Sequence, residues 1–278
     1  MERKLVSQGE NALTITLPAK WLRRKGLKAG DSIFVEEESP GLIIKTERTA
    51  ARSEIEMDIR NCEKNLLFHV FQGAYVKGYD TIKIWHDTPQ AIQEVHRLLG
   101  MTIAEHTSKY TVFKSVIAVP DEDFKTVLRR AGHVLIQEAE TLLLLAQGKA
   151  KLKEVNMHEE LLNYNILYCM RYLNKYERET ERNFFLCSTI ETAGDQVYLI
   201  AKHIGKDTKL AKKVVKGIKE YVQYLFEEDL KKLYISIRAF RNSLEHKTFA
   251  SGVAFCLAEN LYNLLGYVVE APLVKKAG

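Results

Sequence analysis

Residues 1–46 carry a strand–helix–strand pattern with too little apolar material to enclose a core. In Gly9-Glu10-Asn11-Ala12-Leu13-Thr14-Ile15-Thr16-Leu17-Pro18-Ala19-Lys20-Trp21, the apolar Leu13, Ile15 and Leu17 alternate with threonines. That is the period of a half-buried strand. Pro18 suits a helix start, because a first-turn proline forfeits no needed N–H. The short helix that follows carries Lys20, Arg23, Arg24 and Lys25, and Gly26 can end it in the left-handed conformation. Beyond Gly30-Asp31 the pattern predicts a strand over Ser32–Glu37, a Pro40-Gly41 turn and a strand over Leu42–Lys45. A sheet this small leaves its edges open. Pairing two copies closes the edges and builds the missing core.

Charge is concentrated in the same segment. Lys plus Arg total 41 and Asp plus Glu 36, a net of +5. Residues 1–30 hold Arg3, Lys4, Lys20, Arg23, Arg24, Lys25 and Lys28 against Glu2 and Glu10, so the rest of the chain balances to zero. A basic face on a small β module suits a phosphate backbone. The plainer reading, a solvated surface that maintains solubility, does not account for a bias found in this segment and nowhere else.

The stretch GENALTITLPAKWLRRKGLKAGDSIFVEEESPGLIIK resembles a SpoVT-AbrB domain, the swapped-hairpin module of many transcription regulators and antitoxins. The likeness spans about residues 3–46. It rests on Leu17-Pro18-x-x-Trp21, on Gly26-Leu27-Lys28-x-Gly30-Asp31 and on the flanking strands. Gly9-Glu10-Asn11 stands where the family often has Gly-Gln or Gly-Arg. The resemblance implies a homodimer of interleaved hairpins through residues 1–50, with DNA met by Arg3, Lys4, Lys20, Arg23, Arg24 and Lys25.

A chain of 278 residues admits two or three domains. Cys62, Cys169, Cys187 and Cys256 are far apart and form no C-x-x-C pair, which argues against a disulfide framework or zinc finger. The charged N-terminus lacks a signal-peptide stretch. The most apolar segment, Val253–Val269, is interrupted by Glu259, Asn260 and Asn263 and reads as a buried helix, not a membrane span. A cytoplasmic protein is expected. No glycine-rich phosphate loop, dinucleotide fingerprint, nucleophile elbow or nucleophile–base arrangement is present, so an enzyme is not expected.

The predicted fold class is α+β in three zones: the β module at 1–50, a small α/β segment at 54–119 and a six-helix antiparallel bundle at 120–278. Ser53 is a candidate N-cap for a helix over Glu54–Lys77, with Ile55, Ile59, Cys62, Leu66 and Val70 on one face and Gly78 closing it. A strand at Thr81–Trp85, a helix at Pro89–Leu99 and strands near Met101–His106 and Lys109–Val119 follow. His86, His96 and His106 lack ligand-like spacing. The remaining helices are expected over Asp121–Leu145, His158–Tyr176, Glu179–Ile204, Lys209–Leu225, Glu228–Glu245 and Gly252–Glu270, in two groups of three.

Glu191 and Asp195 fall one helical turn apart on one face, and like charges at that spacing repel. No Lys or Arg lies three or four residues from either. A hard, oxygen-seeking cation such as Mg, Mn, Ca or Fe relieves the repulsion, and Gly194 leaves space beside the pair. The apolar stripe of Ile190, Ala193, Val197, Ile200 and Ile204 lies on the other side, so spacing alone favours solvated acids.

STIETAGDQVYLIAKHI, however, resembles the E-x-x-x-D helix of the phosphate-uptake-regulator (PhoU) family. That likeness covers about residues 121–270. It implies two three-helix repeats, metal at Glu191 and Asp195, and a role in phosphate signalling without enzymatic activity. In the second repeat Glu259 is followed by Asn263 in place of the distal acid, which implies a weaker site. Asn163 and Asn165 stand where an acid is often found. A lysine run (Lys202, Lys206, Lys209, Lys213, Lys216) shares one face if a helix bridges Gly205, and reads best as a solvated face. Together the resemblances imply a DNA-binding regulator of phosphate homeostasis whose helical domain senses phosphate status through metal or a protein partner. The alternatives are a signalling adaptor that binds a phosphate transporter or sensor protein and uses residues 1–50 only to dimerise, and an antitoxin-like binder, against which the large helical region argues.

Overall fold

The computed structural model describes residues 3–8, 12–38, 41–45, 54–60, 64–87, 98–116, 123–176, 181–245 and 247–268. The chain divides into two units, Met1–Arg52 and Ser53–Gly278.

In the first unit β1 (Val6–Ser7) pairs antiparallel with β2 (Leu13–Thr14), Val6 opposite Thr14. The strand expected through Leu17 stops at Thr14, where its pairing with β1 ends. Helix α1 (Ala19–Arg24) begins after Pro18, which takes the N-cap position instead of the first helical one. Its end is a Schellman turn: Gly26 has φ +67°, Leu27 N donates to Leu22 O at 3.0 Å and Gly26 N to Arg23 O at 3.2 Å. The next turn is closed by Lys28 N donating to Asp31 Oδ2 at 2.7 Å. This turn delays the following strand, so β3 is Phe34–Glu38, and it forms a hairpin with β4 (Gly41–Lys45). Among the described residues of this unit no apolar side chain is buried; Leu13 is 65% and Leu42 68% exposed. Local hydrogen bonds shape the module, and its described residues enclose no core.

The second unit opens with a correction. The helix expected over Glu54–Lys77 is a strand followed by a helix: β5 (Glu54–Asp58) and α2 (Lys64–Val76). Glu54, Glu56 and Asp58 face out while Ile55 and Met57 are half-buried, a period of two. Parallel pairing with β6 (Thr81–Trp85), Ile55 opposite Ile82 and Met57 opposite Ile84, overrides the helical reading. Cys62 and the helix expected over Pro89–Leu99 lie largely outside the described residues. β7 (Met101–His106) and β8 (Tyr110–Ser115) complete a sheet of order β5-β6-β8-β7, in which only the β5–β6 pair is parallel.

Among the described residues six helices follow: α3 (Phe124–Ala146), α4 (Leu152–Tyr176), α5 (Glu181–His203), α6 (Thr208–Phe226), α7 (Leu230–Ser243) and α8 (Phe249–Val268). Asp123, Asp207 and Asp229 cap α3, α6 and α7 by accepting from backbone N–H groups three residues on. α3, α4 and α5 pack on one another, α7 packs on α6 and α8, and the two groups meet through α3–α6 and α5–α8. Buried positions recur between the groups. Val127, Ala131, Leu135 and Leu142 of α3 match Leu210, Val214, Ile218 and Leu225 of α6; Leu162, Ile166 and Cys169 of α4 match Leu233, Ile237 and Phe240 of α7. Among the described residues no helix is long and apolar enough to cross a membrane.

The sheet is tied to the helices at one corner. Phe71 and Tyr75 of α2 cover Ile82, Ile84 and Phe113, and Leu167 of α4 joins them. Arg171 of α4 donates to Tyr75 O at 2.7 Å and Tyr79 O at 2.9 Å, and Asn174 donates to Val76 O at 2.7 Å. Arg171 and Lys175 both pair with Asp80. These bonds add donors to carbonyls at and just beyond the end of α2, where Gly78 turns the chain at φ +92° and gives its own N–H to Tyr75 O at 3.0 Å.

Candidate functional site

Two groups of side chains stand out. The first is the basic set of the N-terminal unit. Arg3, Lys4, Lys20, Arg23 and Lys25 are all exposed, as is Lys28. Lys20 and Arg23 share a face of α1, and Arg23 Nε reaches back to Ala19 O at 3.4 Å. The Arg24 side chain and Glu10 lie outside the described residues. Among those described, none of these bases is held in an ion pair, so their charge remains available to a polyanion.

The second is a cluster of carboxylates inside the α3–α4–α5 group. It brings Glu191 and Asp195, predicted from the sequence, together with two acids that the sequence reading missed, Glu138 of α3 and Glu159 of α4. Glu138 is 0% exposed and neither of its carboxylate oxygens has a hydrogen-bond partner. Burial first, then the neighbouring Glu159 and Asp195, push its carboxyl well above the usual range. Glu159 is raised chiefly by burial, although Asn163 Nδ2 donates to it at 2.6 Å. Burial, then Asp195 and Glu159, raise Glu191. Asp195 sits at the rim with an exposed flank; burial raises it, and a hydrogen bond with Glu159 opposes this. Every charged neighbour that shifts these four groups is itself acidic.

Gly194 admits Glu138 to this place. A Cβ there would strike Leu162 and lie 3.2 Å from Glu138 Oε2. The stripe Ile190, Ala193, Val197, Ile200 and Ile204 is buried as predicted, yet Glu191 is partly buried too, against α4. Asp195 and Glu159 share a hydrogen bond, and the cluster as a set of carboxyl oxygens is of the kind that suits a hard cation. In the conformation described, however, no three His, Cys, Asp or Glu residues converge with metal-ligand geometry among the described residues.

The related pair in α8 is arranged differently. Arg241 of α7 forms an ion pair with Glu259 and lies over the rings of Phe255 and Tyr262, at 5.4 and 5.9 Å. Asn263 is exposed. The lysine run is broken: α5 ends at His203, Gly205 turns at φ +56°, and Lys209, Lys213 and Lys216 belong to α6. His86 and His106, unremarkable in spacing, meet through Thr111, whose Oγ1 is 2.9 Å from His86 Nε2 and 2.8 Å from His106 Nδ1. His96 lies outside the described residues.

Glu138 and Glu159 had one legible signal. Glu138 interrupts the apolar series Ala131, Leu135, Leu142 at a core position of α3. Which acid on another helix would face it was not encoded in any local spacing.

With known proteins, residues 6–52 match a family model described as antidote-toxin recognition MazE, bacterial antitoxin. The N-terminal module is thus MazE/AbrB-like, which bears out the likeness for that segment; the match ends at residue 52, before the second unit. No curated protein and no solved structure matches the chain.

Proposed function

We propose that this chain is a homodimeric DNA-binding regulator whose helical unit senses phosphate status through a divalent or ferric cation. One observation carries the DNA-binding part: exposed bases crowd a MazE/AbrB-like module whose described residues bury no apolar side chain. A second copy supplies the missing apolar partner for Leu13, Ile15, Val35 and Leu42, and pairing doubles the basic face presented to DNA. The sensing part is supported by the carboxylate cluster around Glu191 and Asp195 and by the PhoU-like sequence of that helix. No chemistry beyond binding is assigned to the cation. The matched family's name favours a second reading, an antitoxin-type regulator that captures a toxin. The test is genome-wide recovery of DNA bound to the protein at high and low phosphate. Specific sites whose occupancy changes with phosphate are expected. Sites unaffected by phosphate favour the antitoxin-type reading, and no bound DNA at all favours an adaptor that uses the module only to dimerise.

A further inference from the structure

We propose that Glu138 is a cation ligand supplied by α3, and that it makes the α3–α5 group the single cation-binding half of the helical unit. The proposal rests on the reading of Glu191 and Asp195 as cation-binding and adds to it a residue and a stoichiometry. Glu138 has no exposed surface and no partner for either oxygen. A buried carboxylate without a partner is costly unless something compensates it, and a chain selected for packing alone places an apolar group there.

The second three-helix group shows the contrast. By the recurrence of buried positions, Glu138 corresponds to Tyr221, Glu159 to Leu230, Glu191 to Glu259 and Asp195 to Asn263. Tyr221 is fully buried and uncharged. Three of the four acids are thus replaced by neutral side chains, and the fourth, Glu259, is paired with Arg241. The second group carries its own cation as a guanidinium. The first group has four acids on three helices and, among the described residues, no base paired with any of them. Gly194 supports the same assignment, since it lets Glu138 Oε2 lie close against α5, 3.2 Å from where a Cβ would stand. The ligand class is a hard, oxygen-preferring divalent or ferric ion.

The test uses full-length protein stripped of metal and titrated with Mn2+ alone, followed by calorimetry and by the resonance of free Mn2+. Wild type is expected to take up one Mn2+ per chain. Glu138→Gln is expected to bind at least about tenfold more weakly, more than loss of a ligand's hydrogen-bond partner usually costs at its lower limit. Metal-free Glu138→Gln should melt no lower than metal-free wild type, because the substitution exchanges one buried, unpartnered polar group for another of the same shape. Equal Mn2+ affinity of wild type and Glu138→Gln would overturn the assignment while leaving Glu191 and Asp195 as the binding pair. Two equal sites per chain would overturn the single-site claim. A wild type that takes up no Mn2+ removes the underlying cation reading itself. Glu138→Leu, which matches Leu135 and Leu142 in size, is the second variant; if neither variant folds, Glu138 is a structural acid and the proposal fails.

Discussion

Arg241 and Glu259 form an ion pair between α7 and α8, at the place that Glu191 occupies in the first helical group without any base. The pair is partly exposed, so its Coulombic share is modest. Arg241 also covers Phe255 and Tyr262 with its guanidinium. Arg241→Ala is expected to cost about 1 kcal/mol. A double-mutant cycle with Glu259→Gln in urea unfolding measures the pair itself; a coupling energy indistinguishable from zero would show that the stacking contributes all of the effect.

Arg171→Met should be the most damaging single change at the sheet–helix corner. Arg171 is 6% exposed, and its burial lowers the guanidinium from its ordinary value despite the help of Tyr75 and Asp80. Its loss removes the side-chain donor to the Tyr79 carbonyl, leaves Tyr75 O with the 3.0 Å bond from Gly78 N, and leaves Asp80 to Lys175. The expected cost is about 3 kcal/mol, from an acceptor deprived of its charged donor and a broken buried pair. Arg171→Lys should recover little, because an ammonium cannot reach two carbonyls as a fork does. Urea denaturation followed by circular dichroism checks both; full recovery by lysine would show that charge, not fork geometry, closes this corner.

The strand and helix limits were most legible where punctuation was strong. Gly26, Gly78 and Gly148 all take positive φ at the ends of helices, and the predicted strands Thr81–Trp85 and Met101–His106 occupy those residues. Glu54–Asp58 was misread because Ile55 and Ile59 fit a helical face as well as Ile55 and Met57 fit a strand. The decision lay in pairing with β6, a contact between segments far apart in sequence. The same limit applied to the acidic cluster. Glu191 and Asp195 announce themselves by spacing, whereas Glu138 and Glu159 join them only through the packing of α3 and α4 on α5.

Stability should fall with acid through His86. The ring is 3% exposed; burial first and His106 second hold it below its ordinary value of 6.5, with Asp87 opposing. The unfolded ring takes up its proton near 6.5 and the folded ring resists. The contribution is therefore full above pH 6.5 and is lost as pH falls through the depressed value. The slope from this one group is at most about 1.4 kcal/mol per pH unit. Urea midpoints of wild type and His86→Gln at pH 7.5 and 5.5 measure it; a glutamine variant with the same acid sensitivity would assign the effect elsewhere.

Removing residues 1–52 should convert a dimer to a monomer. The unit Met1–Arg52 leaves Leu13, Ile15, Val35 and Leu42 open, whereas Ser53–Gly278 encloses two cores, one among the helices and one under the sheet. Light scattering on the size-exclusion peak gives the mass directly. An unchanged oligomeric state in the truncated chain would move the interface to the helical unit.

The most direct measurement is the salt dependence of DNA binding by the full-length protein and by Lys20→Ala/Arg23→Ala. Both side chains are exposed on one face of α1, so the substitutions leave packing intact. Each phosphate contact contributes about 0.9 to the slope of log K against log salt, and a dimer loses each contact twice. The account predicts a steep slope for wild type, and weaker binding with a shallower slope for the variant. Equal affinity and equal slope in the two proteins, or no affinity of wild type for DNA at low salt, would contradict it.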